Sequence, residues 1–203
     1  MQQDNFEIRE LIDNWVLWRD SGDFDRLATV FHDDGRMIAT WFQASAADFI
    51  ARSRVAWANG MKSIHTLGGT SVEVNGERAL AHTKMQIIQR APVHGVLVDV
   101  NCHGRFWDAF EKRDGRWGLV LRQPIYEMDR MAPVDPGTTL TLDQELLATF
   151  PEGYRYLGYL QTQAGFNVSR TLPGTRGPEI EQLQQRGVRW LAGDDKACLD
   201  SQA

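Results

Sequence analysis

The chain has 203 residues, of which 42% are hydrophobic, and 22 basic residues stand against 27 acidic ones, for a net charge of -5. These values are typical of a globular protein of one domain with an appendage, and they argue against a nucleic-acid or polybasic membrane surface. Two cysteines are too few for a disulfide framework. Since the sequence shows neither a signal peptide nor a run of apolar residues that could cross a membrane, we expect a cytoplasmic protein.

The first sixty residues predict helices and one strand. Apolar residues recur at helical spacing over residues 6–20, and residues 21–23 end this helix and cap a short second one. Residues 32–35 are predicted as a turn and residues 37–42 as a strand. Ser45 provides a capping-box-like start for a third helix.

After residue 60 the hydrophobic period changes from that of a helix to that of a strand. Residues 63–74 form the first long strand, and Asn75-Gly76 favours a tight hairpin turn. Three more alternating strands follow, connected by a loop at residues 91–95 and a second tight turn at residues 113–115. Helices followed by antiparallel strands predict an α+β fold.

A boundary is predicted at residues 133–137, where proline and glycine interrupt the pattern. The domain is therefore assigned to residues 1–132 and a helical C-terminal extension to residues 133–203. Three short helical pieces are expected in the extension, the last beginning at Pro178. Because this segment has aromatic side chains but few aliphatic ones, we expect it to pack on the domain or on a neighbouring subunit.

Several motifs of cofactor-dependent enzymes are missing from the sequence. There is no glycine-rich phosphate loop, no Gly-x-Ser-x-Gly elbow and no His-Glu-x-x-His. The five histidines are dispersed without the spacing of zinc ligands. No cofactor and no zinc are therefore expected, while a metal-binding facial triad from distant strands stays open.

Asp20 is the most informative residue. It continues the row of Ile8, Ile12 and Val16 on the apolar face of the first helix, where a carboxylate is costly without a partner. Capping of the helix end is the alternative, although a helix C-terminus disfavours an acid. His65, near the start of the first long strand, is the natural partner, since an Asp–His pair forms a general-base unit. The alternative is a surface or simply hydrogen-bonded His65.

Three segments resemble the SnoaL-like branch of the NTF2-like superfamily. They are residues 8–34, the strand segment Ile64-His65-Thr66-Leu67-Gly68, and residues 106–117. The resemblance covers about residues 5–130. It implies a cone-shaped NTF2-like barrel, in which a curved mixed or antiparallel sheet wraps the N-terminal helices around a deep apolar pocket.

The resemblance also implies a chemistry. Asp20 and His65 match the dyad with which γ-hexachlorocyclohexane dehydrochlorinase and scytalone dehydratase abstract a proton without a cofactor. A cofactor-independent lyase of the dehydratase or elimination type is therefore expected. Its substrate would be a hydrophobic, aromatic small molecule, and a lignin-derived aromatic dimer is one candidate. The same fold also hosts isomerases, polyketide cyclases and non-catalytic binding subunits, which stay open as alternatives.

Apolar side chains, one carboxyl group and one phenol are expected to bind the substrate. These candidates are Trp15, Trp18, Met37, Trp41, Met85, Phe106, Asp108 and Tyr126. Asp108 is either a second carboxylate in the pocket or the partner of a nearby arginine. His103 alternates with charged residues and is expected to face outward or into an interface, with the pocket as the alternative. We expect a homodimer or homotrimer formed through the outer face of the sheet, and no nucleic-acid or membrane partner.

Overall fold

The computed structural model describes residues 2–198. Helices and strands of the first two thirds are, in chain order, α1 (Gln2–Ser21), α2 (Phe24–Ala28), β1 (Phe31–Ala39), β2 (Phe42–Ser45), α3 (Ala46–Ala58), β3 (Lys62–Asn75), β4 (Arg78–Val93), β5 (Val96–Arg113) and β6 (Arg116–Pro133). The remainder contains α4 (Gln144–Ala148), a 3₁₀ turn (Glu152–Tyr154), α5 (Arg155–Gln163), α6 (Pro178–Leu191) and a second 3₁₀ turn (Asp195–Cys198). None of the helices in residues 2–198 is both long and apolar enough to cross a membrane.

The N-terminal helices form where the sequence predicts them. In α1 the row of Ile8, Ile12 and Val16 is buried, because these side chains recur on the face that packs against the sheet. The Ser45 hydroxyl accepts a hydrogen bond from the Asp48 backbone N–H and caps α3. The prediction of a first helix is confirmed, although α1 begins at Gln2, four residues earlier.

The six strands form one mixed sheet in the order β2-β1-β6-β5-β4-β3. Strand β1 pairs in parallel with β6, and the other neighbours are antiparallel. The predicted hairpin is confirmed, but Asn75 pairs with Arg78, so its two-residue turn is Gly76-Glu77, with Gly76 at a φ of 61°. The predicted α+β architecture with a mixed sheet is therefore confirmed, but the sheet stays open between β2 and β3 and does not close into a barrel.

Three local predictions are wrong. Residues 32–35 lie inside β1, in an irregular stretch between Phe31 and Arg36, the nearest residues that pair with β6. A hydrogen bond between His32 Nε2 and the Glu111 carbonyl at 2.9 Å ties this stretch to β5. The single strand predicted at residues 37–42 is two strands separated by a turn. The loop predicted at residues 91–95 shrinks to a two-residue turn, because strand pairing continues to Val93 and the next two residues take positive φ.

The C-terminal extension packs on the sheet of its own chain, with the 3₁₀ turn and α5 against β6. A Cβ on Gly153 would lie 2.3 Å from the Tyr126 carbonyl oxygen, so the two backbones touch. Trp107 points to the face of the sheet opposite to that of its neighbour Phe106. On that face α6 brings Gly187 against Trp107. The last five residues of the predicted extension lie outside the described part of the chain.

Candidate active site

The side chains of Asp20 and His65 meet where the end of α1 crosses the start of β3. Asp20 Oδ1 accepts a hydrogen bond from His65 Nδ1 at 2.7 Å, and Asp20 Oδ2 accepts one from the His65 backbone N–H at 2.6 Å. The side chains are 8% exposed for His65 and 19% for Asp20. Both carboxylate oxygens therefore hold the same residue, which fixes the position of the imidazole ring.

This arrangement determines which nitrogen of His65 can act as a base. An ionised carboxylate only accepts hydrogen bonds, so Nδ1 carries the proton of the neutral ring and Nε2 keeps its lone pair. Nε2 makes no hydrogen bond to any group in residues 2–198. The ring packs edge-on against Trp15, with ring centroids 5.5 Å apart, so its orientation is also held sterically.

His65 forms part of the wall of an internal cavity. Much of the remaining wall is aromatic or apolar and comes from α1, β1, the turn after it, α3 and β5: Trp15, Met37, Trp41, Phe49 and Phe106. The cavity volume is about 40 Å³, which has room for about three water molecules. The observed conformation is thus closed, and a larger ligand requires the wall to move.

One side of the wall comes from the C-terminal extension. Leu157 and Gln161 of α5 close one side of the cavity. Gln161 Oε1 accepts a hydrogen bond from the Thr40 hydroxyl at 2.6 Å, and Gln161 Nε2 donates to Gln89 Oε1 at 3.0 Å. This buried amide ties α5 to the turn after β1 and to β4. Sequence reasoning missed Gln161 and Gln89, since nothing local in the sequence marks a glutamine that faces a cavity.

Tyr126 of β6 also lines the cavity and is fully buried. Burial raises the pKa of its phenol well above its usual range, and a hydrogen bond with Thr40 only partly opposes this. The phenol therefore stays protonated at neutral pH. It can donate a hydrogen bond to a ligand but cannot serve as a base.

Residues 2–123 match the SnoaL-like domain family. The chain belongs to the SnoaL-like family. It is 34% identical over 202 residues to pea pathogenicity protein 2 of Fusarium vanettenii, an alignment that covers 94% of this chain and 87% of that protein. The resemblance seen in the sequence is thereby confirmed.

Solved structures share the fold of this SnoaL-like chain at low sequence identity. One is a protein of Novosphingobium aromaticivorans provisionally named as a scytalone dehydratase, with a TM-score of 0.54 and 16% identity over 70% of this chain and all of that one (100%). Another is a type 2 hexachlorocyclohexane dehydrochlorinase, with a TM-score of 0.51 and 14% identity over 70% of this chain and 95% of that one. The fold is therefore one that lyases use, and the residues of this chain must carry the argument for its own chemistry.

Five of the eight substrate-binding candidates line the cavity of the SnoaL-like domain. These are Trp15, Met37, Trp41, Phe106 and Tyr126. Trp18 is only partly buried and does not line the cavity. Met85 borders a shallow groove near His103, which is itself exposed, as its alternation with charged residues predicts.

Asp108 does not line the cavity. Its two oxygens accept hydrogen bonds from Arg122 Nε at 2.8 Å and Nη2 at 2.7 Å, and both side chains are completely buried. The Arg122 guanidinium lies 4.4 Å from the ring centre of Trp15 and 4.0 Å from that of Phe106. Of the two interpretations of Asp108, the structure shows the partner of an arginine.

Arg19 lines the cavity and was not among the residues singled out from the sequence. It precedes Asp20 on α1 and is buried, with 7% of its surface exposed. Burial lowers the pKa of its guanidinium, and the nearby charge of Asp20 opposes this decrease. A signal was available in the sequence, because Arg19 follows Ile8, Ile12 and Trp15 at helical spacing.

Proposed function

We propose that this SnoaL-like protein is a cofactor-independent lyase in which His65 acts as the general base and Asp20 orients it. The supporting observation is the pair of hydrogen bonds that His65 donates to Asp20 beside a cavity. It leaves one basic nitrogen, Nε2, without a partner in residues 2–198. A histidine held in this way presents a lone pair that can accept a proton from carbon.

The proposed reaction is an elimination. His65 Nε2 takes a proton from a carbon atom of the substrate, and the electron pair of that C–H bond becomes the second bond of a new C=C double bond. The bond from the adjacent carbon to the leaving group breaks, and the leaving group departs with its electron pair. The imidazolium that forms is stabilised by Asp20 and returns its proton to the leaving group or to solvent.

The cavity restricts the size of the proposed substrate. Its aromatic and apolar walls suit an aromatic or alicyclic ring. A volume of about 40 Å³ must enlarge before even one ring enters, so we propose a single-ring substrate instead of a two-ring lignin-derived dimer, with α5 as the element that moves. The mobile contact would be the Gln161 amide, whose hydrogen bonds to Thr40 and Gln89 must break when α5 moves.

The test is product analysis in heavy water with β-hydroxy aryl ketones as the probe, beginning with β-hydroxypropiophenone. A lyase converts it to the vinyl ketone, with a mass lower by one water. An isomerase or cyclase leaves the elemental composition unchanged apart from incorporated deuterium, and a binding module gives neither change.

The variants for this test are His65→Gln and His103→Gln. We expect His65→Gln to lower the rate by about 10²–10⁴, the usual contribution of a positioned general base. His103→Gln is the matched control, because that ring is exposed on β5 and lies outside the cavity wall. Elimination that continues at the wild-type rate in His65→Gln contradicts the proposal.

A further inference from the structure

Arg19 places a positively charged guanidinium in the cavity wall, and no hydrogen-bond acceptor of residues 2–198 pairs with it. Its Nε atom is buried and has no hydrogen-bond partner in residues 2–198. The nearest aromatic contact is the ring of Phe49, 5.8 Å from the guanidinium carbon. A guanidinium has five donors and is charged under all ordinary conditions, so its burial without acceptors is energetically unfavourable.

The carboxylate next to Arg19 in the chain does not satisfy it. Asp20 acts on Arg19 only through the field of its charge, since both of its oxygens are bonded to His65. The other buried arginine at this end of the domain differs in this respect, because Arg122 is held by two hydrogen bonds to Asp108. No group of residues 2–198 therefore supplies the acceptor that Arg19 lacks in the cavity wall.

We propose that Arg19 binds a carboxylate group of the ligand, so that the cavity selects anionic ring compounds over neutral ones. A planar guanidinium matches a carboxylate through two parallel hydrogen bonds, and a dry site strengthens such a pair. The apolar wall then receives the ring of the same molecule, with Trp15 and Phe49 beside it. This inference deepens the proposed function and rests on it for the use of the same cavity.

The test compares benzoate with benzamide, which have the same ring and nearly the same shape but differ in charge. Binding of each is measured by titration calorimetry at constant ionic strength with wild type, Arg19→Met and Arg19→Lys. We expect wild type to bind benzoate at least about tenfold more tightly than benzamide, as for a charge-assisted pair. Arg19→Met should remove this preference, and Arg19→Lys should keep part of it, since it retains the charge but not the fork.

Arg52→Met is the matched control. Arg52 also lies over an aromatic ring, 5.5 Å from the centre of Phe42, but it is exposed and does not line the cavity. The same substitution there should leave the preference for benzoate intact. Equal binding of benzoate and benzamide by wild type, no binding of benzoate, or a preference that survives in Arg19→Met would each overturn the inference.

A stability measurement separates recognition from a structural role. A purely structural arginine would leave the protein less stable when replaced, whereas removal of an unpaired buried charge should leave the melting temperature unchanged or higher. His65→Gln separates this inference from the lyase proposal, because it should lose turnover and still prefer benzoate. If the wild type prefers benzoate but converts none of the probes, the anion site is supported and the lyase proposal is not. If it converts neutral ketones but does not bind benzoate, the lyase proposal is supported and the anion site is not.

Discussion

Two pairs of an acidic and a basic side chain lie at the same end of the domain and differ in how far they are buried. Asp108 and Arg122 are completely buried and bind each other through two hydrogen bonds. Asp20 and His65 also share short hydrogen bonds, but both side chains keep some exposure, and His65 lines the cavity. Trp15 contacts both pairs, since it packs against the His65 ring and under the Arg122 guanidinium.

The difference lies in what each pair leaves unused. Asp108 has both oxygens committed to an arginine, which cannot give up its proton at any accessible pH. Asp20 has both oxygens committed to His65, and the histidine retains a nitrogen that can gain and lose a proton. A buried ion pair thus organises the core, whereas a pair with one free basic atom on a cavity can perform chemistry.

The largest effect is expected when the orienting carboxylate is neutralised. Asp20→Asn keeps the shape of the side chain, but its amide can no longer accept from both His65 donors and favours the wrong tautomer. We expect kcat for elimination to fall by about 10²–10⁴, measured with the ketone probe. Asp13→Asn, an exposed acid on the same helix, is the control. If Asp20→Asn retains wild-type kcat, the two pairs do not differ in the way described.

Breaking the other pair should instead destabilise the fold. Arg122→Met leaves Asp108 as a buried carboxylate without a partner, at an expected cost of about 3–5 kcal/mol in the free energy of unfolding by urea. The double change Asp108→Leu with Arg122→Met should recover much of the loss, which keeps the test informative if the single variant does not fold. Arg54→Met, from an exposed pair with Asp25, should have little effect.

Asp129 provides an intermediate case and a pH dependence. Its Oδ2 accepts from the Leu157 N–H at the start of α5, Oδ1 has no partner among residues 2–198, and burial raises its pKa to about 6. The folded state holds this proton between about pH 4 and pH 6 while the unfolded state has lost it. The free energy of unfolding should therefore fall by about 2–3 kcal/mol as pH rises through this range.

Asp129→Asn should remove that pH-dependent contribution. Arg155 also faces the carboxylate and lowers its pKa, and the Cys102 thiol lies close enough to feel its charge. Urea unfolding of both proteins at several pH values from 4 to 7.5 provides the measurement. Parallel pH profiles for wild type and Asp129→Asn would show that this carboxyl group does not titrate as described.

The smallest effect is expected where the extension docks without touching either pair. In Gly153→Ala the new Cβ would lie 2.3 Å from the Tyr126 carbonyl oxygen, so the 3₁₀ turn before α5 must shift. We expect a loss of about 1–3 kcal/mol in thermal unfolding. Gly174→Ala is the control, since its Cβ would meet the same oxygen at an ordinary 3.5 Å. Equal stability of the two variants would contradict this account of the docking.

Much of the fold and part of the site could be predicted from local patterns. The alternation of β4 and β5, the hairpin turn at Gly76 and the apolar row that ends at Asp20 are visible in the sequence, because each depends only on neighbouring residues. The turn expected at residues 32–35 failed for the opposite reason. The residues that flank it, Phe31 and Arg36, pair with β6, a strand more than eighty residues away in the chain.

The sequence by itself determined which faces are buried, and with them the position of Asp20 at the end of the apolar row of α1. Only the tertiary structure decided which group each buried polar side chain meets. Thr40 bonds to Gln161 across 121 residues, Asp108 bonds to Arg122 through the β5–β6 register, and Arg19 Nε has no acceptor among residues 2–198. Periodicity encodes burial because it is local. Hydrogen bonding instead requires donor and acceptor to be placed to within a few tenths of an ångström, and that placement is set by the packing of the whole chain.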